Sequence, residues 1–92
     1  MIPTLSQLAK PSEDVLLQEV GGEVVLLDLA SESYFGLNPV GTRIWFLLRE
    51  DARLQRAFDI LCEEYDVDAG VLEAELLALV GKLADAGLVK VE

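Results

Sequence analysis

The sequence contains no histidine, only one cysteine (Cys62), and just 7 lysines and arginines against 17 acidic residues. Without histidine there is no Cys–His or Ser–His nucleophile and no imidazole to ligate zinc. A lone cysteine forms no intrachain disulfide. The N-terminus has no basic segment leading into an apolar run, so the expected compartment is a reducing cytoplasm. The shortage of cations leaves a formal charge of −10. That sign repels phosphate, which argues against nucleic acid and anionic membranes and favours a basic peptide as partner. No run of about 18 apolar residues is present, so no membrane span is expected.

Chemistry-bearing patterns are equally scarce. The glycines form neither GxxxxGK[ST] nor GxGxxG, so there is no phosphate cradle. Asp66-Val67-Asp68-Ala69-Gly70 lacks the third ligand and final glutamate of a calcium loop and reads better as a turn with a helix cap. Glu63-Glu64 and Glu73/Glu75 are paired carboxylates, but a solvated helix face explains them without acid–base work. Cys62 falls on an apolar helical stripe and is expected to be a buried structural thiol. No catalytic group, metal or cofactor is expected.

What is present is apolar content, 52% of 92 residues, enough for one small core with surface to spare for a partner. Residues 1–13, with Pro3 and Pro11 and little periodicity, read as an extended N-terminal arm, and residues 14–92 as the domain. Val15–Val20 and Glu23–Leu29 flank Gly21-Gly22, a hairpin pattern. Ser33–Leu37 supplies a third strand. Asn38 is then a good N-cap and Pro39 suits the first helical position, so strand runs directly into helix.

Helices are expected from Pro39 to near Glu50, over Leu54–Tyr65, and from an Asp68 cap, with Val67 and Leu72 as a hydrophobic staple, to a stop at Gly87. Lys90–Glu92 reads as a short tail. The segregated order βββααα predicts an α+β domain in which a three-stranded antiparallel sheet is followed by three helices that cover one sheet face.

A binding surface is the remaining functional feature. In Ser33-Tyr34-Phe35-Gly36-Leu37, alternation sends Phe35 and Leu37 toward the helices and Tyr34 and Gly36 the other way. Gly36 either admits a partner backbone or starts the turn. On the third helix, Leu76, Leu79, Val80 and Leu83 lie within about 80° of Leu72, with Glu75 and Lys82 on the border of the stripe. That stripe is wider than one helix contact needs, so a groove between the third strand and third helix is expected. Gly81 is explained by close helix packing.

The stretches VVLLDLASESYFGLNPVGTRIWFLL and LLALVGKLADAGLV, in a βββααα chain of this length, resemble the PqqD-like proteins, the recognition elements of ribosomally made, modified peptides. The likeness covers roughly residues 14–91, and YFGLNPVGTRIW is its most specific part, favouring the stand-alone members of lasso-peptide clusters. The resemblance implies a winged helix-turn-helix-like fold without DNA binding. It implies a precursor's leader peptide added as an antiparallel strand, with a separate cysteine-type leader peptidase as second partner. Carried onto this chain, Ser33, Tyr34, Phe35, Gly36 and Leu37 would pair with the leader. Leu72, Glu75, Leu76 and Leu79 would form the helical wall; family members often carry aspartate at the position of Glu75. The competing readings are a DNA-binding winged helix, opposed by the charge, a non-catalytic interaction module or small enzyme subunit, and a peptide chaperone for a different modifying enzyme.

Overall fold

In the computed structural model, which describes residues 3–92, the Gly21-Gly22 pair organises the sheet. Their φ values of 59° and 84° are those of a two-residue type I′ turn, whose twist matches that of the strands it joins. Strand β2 (Val15–Val20) therefore folds back onto β3 (Glu23–Asp28) with Val20 opposite Glu23. A four-residue loop returns the chain as β4 (Ser33–Leu37), with Asp28 opposite Ser33. The Asp28 carboxylate, almost buried, accepts from the Ala30 N–H at 3.1 Å and the Ser31 hydroxyl at 2.8 Å, satisfying loop donors that the ladder leaves free. The antiparallel sheet has the order β2-β3-β4.

Helix α1 (Pro39–Glu50) starts one residue after β4. The Asn38 side chain accepts from the Gly41 N–H at 2.7 Å, and Pro39 occupies the first turn. Helices α2 (Leu54–Glu64) and α3 (Ala69–Asp85) follow. At α3 the Asp68 carboxylate accepts from the N–H groups of Gly70 and Val71. The expected staple contributes little, because Val67 is exposed. At the other end Gly87 has φ 78°, the Leu88 N–H bonds the Leu83 carbonyl at 2.9 Å and the Gly87 N–H bonds that of Ala84 at 3.0 Å. This is the paired Schellman closure, with the buried Leu88 folded back beside Leu83.

Leu26 from the sheet, Ile44, Leu47 and Leu48 from α1, Leu54 and Leu61 from α2, and Leu72, Leu76, Val80 and Leu83 from α3 form one core. The architecture is α+β, three antiparallel strands followed by three helices.

Three features depart from the sequence expectations. The segment before Asp14 is tied down: β1 (Ala9–Pro11) pairs antiparallel with β5 (Val89–Val91), and Ala9 is fully buried. The Ala9 N–H bonds the Ala52 carbonyl at 2.8 Å and the Leu54 N–H bonds that of Gln7 at 3.2 Å, strapping this segment across the α1–α2 turn. The first two positions of the arm lie outside the described residues. Lys90–Glu92, read as a short tail, instead continues into this ladder, and a Lys10–Glu92 ion pair at 3.0 Å closes it. Third, Cys62 is exposed, because Leu61 takes the central place on α2 and Cys62 falls at the margin of the buried arc.

Candidate functional site

The hydrogen-bond phase of the sheet decides what β4 offers. The Leu29 N–H bonds the Asp14 carbonyl at 3.0 Å, so Asp14 and Leu29 form a hydrogen-bonded pair in the β2–β3 register. Such pairs alternate along an antiparallel ladder. Leu27 and Val25 therefore bond toward β2, while Val24, Leu26 and Asp28 bond toward β4. Their partners are Leu37, Phe35 and Ser33. The N–H and C=O groups of Tyr34 and Gly36 consequently point away from β3. Among the described residues, no strand lies on that side. An open edge with two outward-facing residues is the result.

The side chains follow the other alternation. Leu37 is buried and Phe35 packs against the core, whereas Ser33, Tyr34 and Gly36 are exposed. Gly36 has an ordinary strand φ, and a Cβ built on it would meet nothing within 4 Å. The chain's own fold thus makes no demand for glycine at this position. Gly36 lies inside β4, one residue before its end, and not in a turn. Tyr34 is 77% exposed and stands in a cross-strand row with Leu27 and Leu16, so the sheet face away from the helices carries apolar surface next to the open edge.

Two recesses flank the junction of β4 and α1. One, of about 660 Å³, is lined by Gly22, Glu23, Val24, Gly36, Leu37, Asn38, Pro39 and Thr42. The other, of about 470 Å³, lies between the start of α1 and α3, lined by Asn38, Val40, Gly41, Ile44, Glu75, Ala78, Leu79 and Lys82. Gly41 permits this arrangement: a Cβ there would lie 3.3 Å from Leu37 Cδ2, 3.4 Å from Leu79 Cδ2 and 3.2 Å from Asn38 Oδ1.

The structure therefore places Glu75 and Leu79 in the α1–α3 recess, beside the end of β4 at Leu37, and puts Leu72 and Leu76 in the core below it. Those two leucines are 2% and 0% exposed and hold α3 from beneath. The recess residues that sequence reasoning missed are Asn38, Val40, Gly41, Ile44 and Ala78, with Lys82 placed only on a border. Glu75, Ala78, Leu79 and Lys82 follow helical i, i+3, i+4, i+7 spacing, a signal readable once the face adjacent to the core stripe is considered.

Electrostatically, most cations are already engaged. Arg43 Nε donates to Glu64 Oε1 at 2.9 Å, joining α1 to α2. That bond raises the arginine pKa and lowers that of Glu64. Hydrogen bonds from the Arg53 guanidinium and backbone N–H hold Asp51 down to about 2. Among the described residues, Arg49 and Lys82 are the cations without an ion pair. No group of histidine, cysteine and acidic side chains among those residues is arranged to hold a metal. No helix among them is long and apolar enough to cross a membrane.

Two solved structures resemble this chain. A solved structure described as TbiB1 in complex with the TbiA(beta) leader peptide is 41% identical, with a TM-score of 0.79 over 88% of this chain and 94% of that one. A second, a lasso peptide synthetase B1 complexed with the leader peptide, is 24% identical, with a TM-score of 0.78 over 89% and 96%, and shares the fold. No curated protein matches the sequence. The profile of the family described as coenzyme PQQ synthesis protein D (PqqD) matches residues 23–89, which spans β3 through the start of β5. This chain belongs to the PqqD family.

Proposed function

We propose that this protein binds the leader segment of a ribosomally made precursor, of the lasso-peptide type, as an antiparallel strand along β4, and presents it to a separate cysteine-type leader peptidase. The observation that carries the reading is the edge itself. Tyr34 and Gly36 aim backbone donors and acceptors outward, with open space over Gly36 and an apolar recess beside it. Strand addition uses such main-chain groups for affinity and adjoining pockets for selectivity. The leader-peptide complex of the 41% identical TbiB1 supports the same ligand class here. The protein would act by binding alone, since its sequence offers no histidine to activate a nucleophile, and it would work in the cytoplasm.

Amide hydrogen exchange with synthetic TbiA(beta) leader peptide tests the docking mode. The amides of Tyr34 and Gly36 should gain protection while the precursor mass stays unchanged. Absence of binding would overturn the reading, as would protection confined to Val15 and Leu17 on the opposite edge, or a cleaved product without added peptidase.

Presentation needs a second surface that a bound leader leaves open. The outer sheet face, continuous with the docking edge through Tyr34, Leu27 and Leu16, is the surface proposed to meet the peptidase. Leu16 is 46% exposed, so Leu16→Glu should leave folding and leader affinity intact. Peptidase-dependent cleavage at saturating leader occupancy should fall about tenfold, as for a small interface anchor. Unchanged cleavage would move the peptidase contact elsewhere.

A further inference from the structure

The recess between α1 and α3 carries an unused pair of opposite charges. Glu75 and Lys82 both line it, and neither side chain makes an ion pair or hydrogen bond among the described residues. They sit seven positions apart on one helix, about 10.5 Å along the axis. No ion pair joins them, so they do not neutralise each other. Leu79 lies between them in sequence, and its Cδ2 is close enough to Gly41 to line the floor of the recess. The recess thus has an anionic end, an apolar middle and a cationic end.

An extended peptide advances about 3.3 Å per residue, so about three residues span the distance between the two charges. We infer that Glu75 and Lys82 are specificity-determining residues. They select leader segments in which an apolar side chain is bracketed by one basic and one acidic residue two to four positions apart. The basic residue meets Glu75, the apolar side chain packs on Leu79 in the recess, and the acidic residue meets Lys82.

Backbone pairing along β4 is indifferent to side-chain order, and a two-residue edge contact can slip in register. A recess with unlike ends removes that freedom, because reversed or shifted charges would set like against like. The inference rests on the proposed docking of a leader along β4 and adds the chemistry that fixes its position.

A displayed library of random extended peptides, selected on the intact protein and on Glu75→Lys, Lys82→Glu and the double variant, tests it. Tyr34 and Gly36 exchange protection reports whether selected peptides use the β4 edge. Wild-type protein should enrich one order of basic, apolar and acidic residues, and the double variant should enrich the reverse order. Each single variant should lose about two- to fivefold in affinity for wild-type-selected peptides, the scale of an exposed charge pair. The double variant should recover affinity for the charge-reversed peptides.

Peptides that protect β4 but show no charge order, or the same order on wild type and double variant, would overturn the inference and leave strand addition standing. Failure of every selected peptide to protect β4 would overturn both. Circular dichroism of each variant, with the exposed positions of both residues making unfolding a poor explanation, keeps the outcomes distinct.

Discussion

Gly36→Pro and Tyr34→Pro are each expected to weaken leader binding by about 1–3 kcal/mol, roughly 5- to 150-fold, with the fold retained. Proline removes a backbone N–H and places a ring on the strand edge. In both variants the lost donor is one that points away from β3, so no ladder bond within the protein disappears. The leader carbonyl that would have accepted it is left unsatisfied in the docked complex, and that loss sets the scale. Phe35→Pro is the contrasting variant: its N–H faces β3 opposite Leu26, so the same chemistry should damage the sheet. Isothermal titration with TbiA(beta) leader peptide, alongside circular dichroism, separates the three. If both edge variants are folded and bind like wild type, β4 is not the docking edge.

The second large effect lies in the core. Leu76→Ala should lower unfolding free energy by about 2–5 kcal/mol, the usual cost of a buried leucine cavity, out of a total of about 5–15 kcal/mol for a domain of this kind. Leu76 is fully buried, whereas Leu79, one turn further on, is half-buried and lines the recess. Under conditions where Leu76→Ala remains folded, its leader affinity should stay within about twofold of wild type, the range for sites without direct contact. Leu79→Ala should show the opposite balance, with the smaller loss of stability and the larger loss of affinity. Urea denaturation and titration on both variants check this. A Leu76→Ala protein of normal stability and impaired binding would place Leu76 in the wall of the groove after all.

Helix geometry alone could not separate those two leucines. Taking 100° per residue, Val80 lies about 80° from Leu72, and Cys62 lies about 80° from Leu54 on its own helix. Val80 is fully buried and Cys62 is exposed. The same angular offset gives opposite outcomes because neighbours on one side of a helix, and not its own periodicity, decide how wide the buried arc becomes. On α3 that arc is displaced toward Leu76 and Val80, which leaves Glu75, Leu79 and Lys82 facing the recess.

The small β1–β5 sheet was invisible for a related reason. Each strand has three residues, too few for a period, and the two come from opposite ends of the chain. Nothing local in Ala9–Pro11 encodes a partner some eighty positions away; closure of the helical core brings them into register.

By itself the sequence determined the tight turn and the helix ends, whose causes are local. The Gly-Gly turn requires two left-handed residues, Asn38-Pro39 caps and starts a helix, Asp68 caps another, and Gly87 ends it; each is a short-range steric or hydrogen-bonding necessity. It also determined by alternation which residues of β4 face the helices. Only the tertiary structure decided which backbone groups of β4 are free, because that depends on the hydrogen-bond phase inherited from β2 through β3. It likewise decided that Gly41 lets α1 and α3 approach beside Leu37, placing Glu75 and Lys82 around one recess. Those are relations between segments distant in the chain, set by packing, and no residue's own propensity contains them.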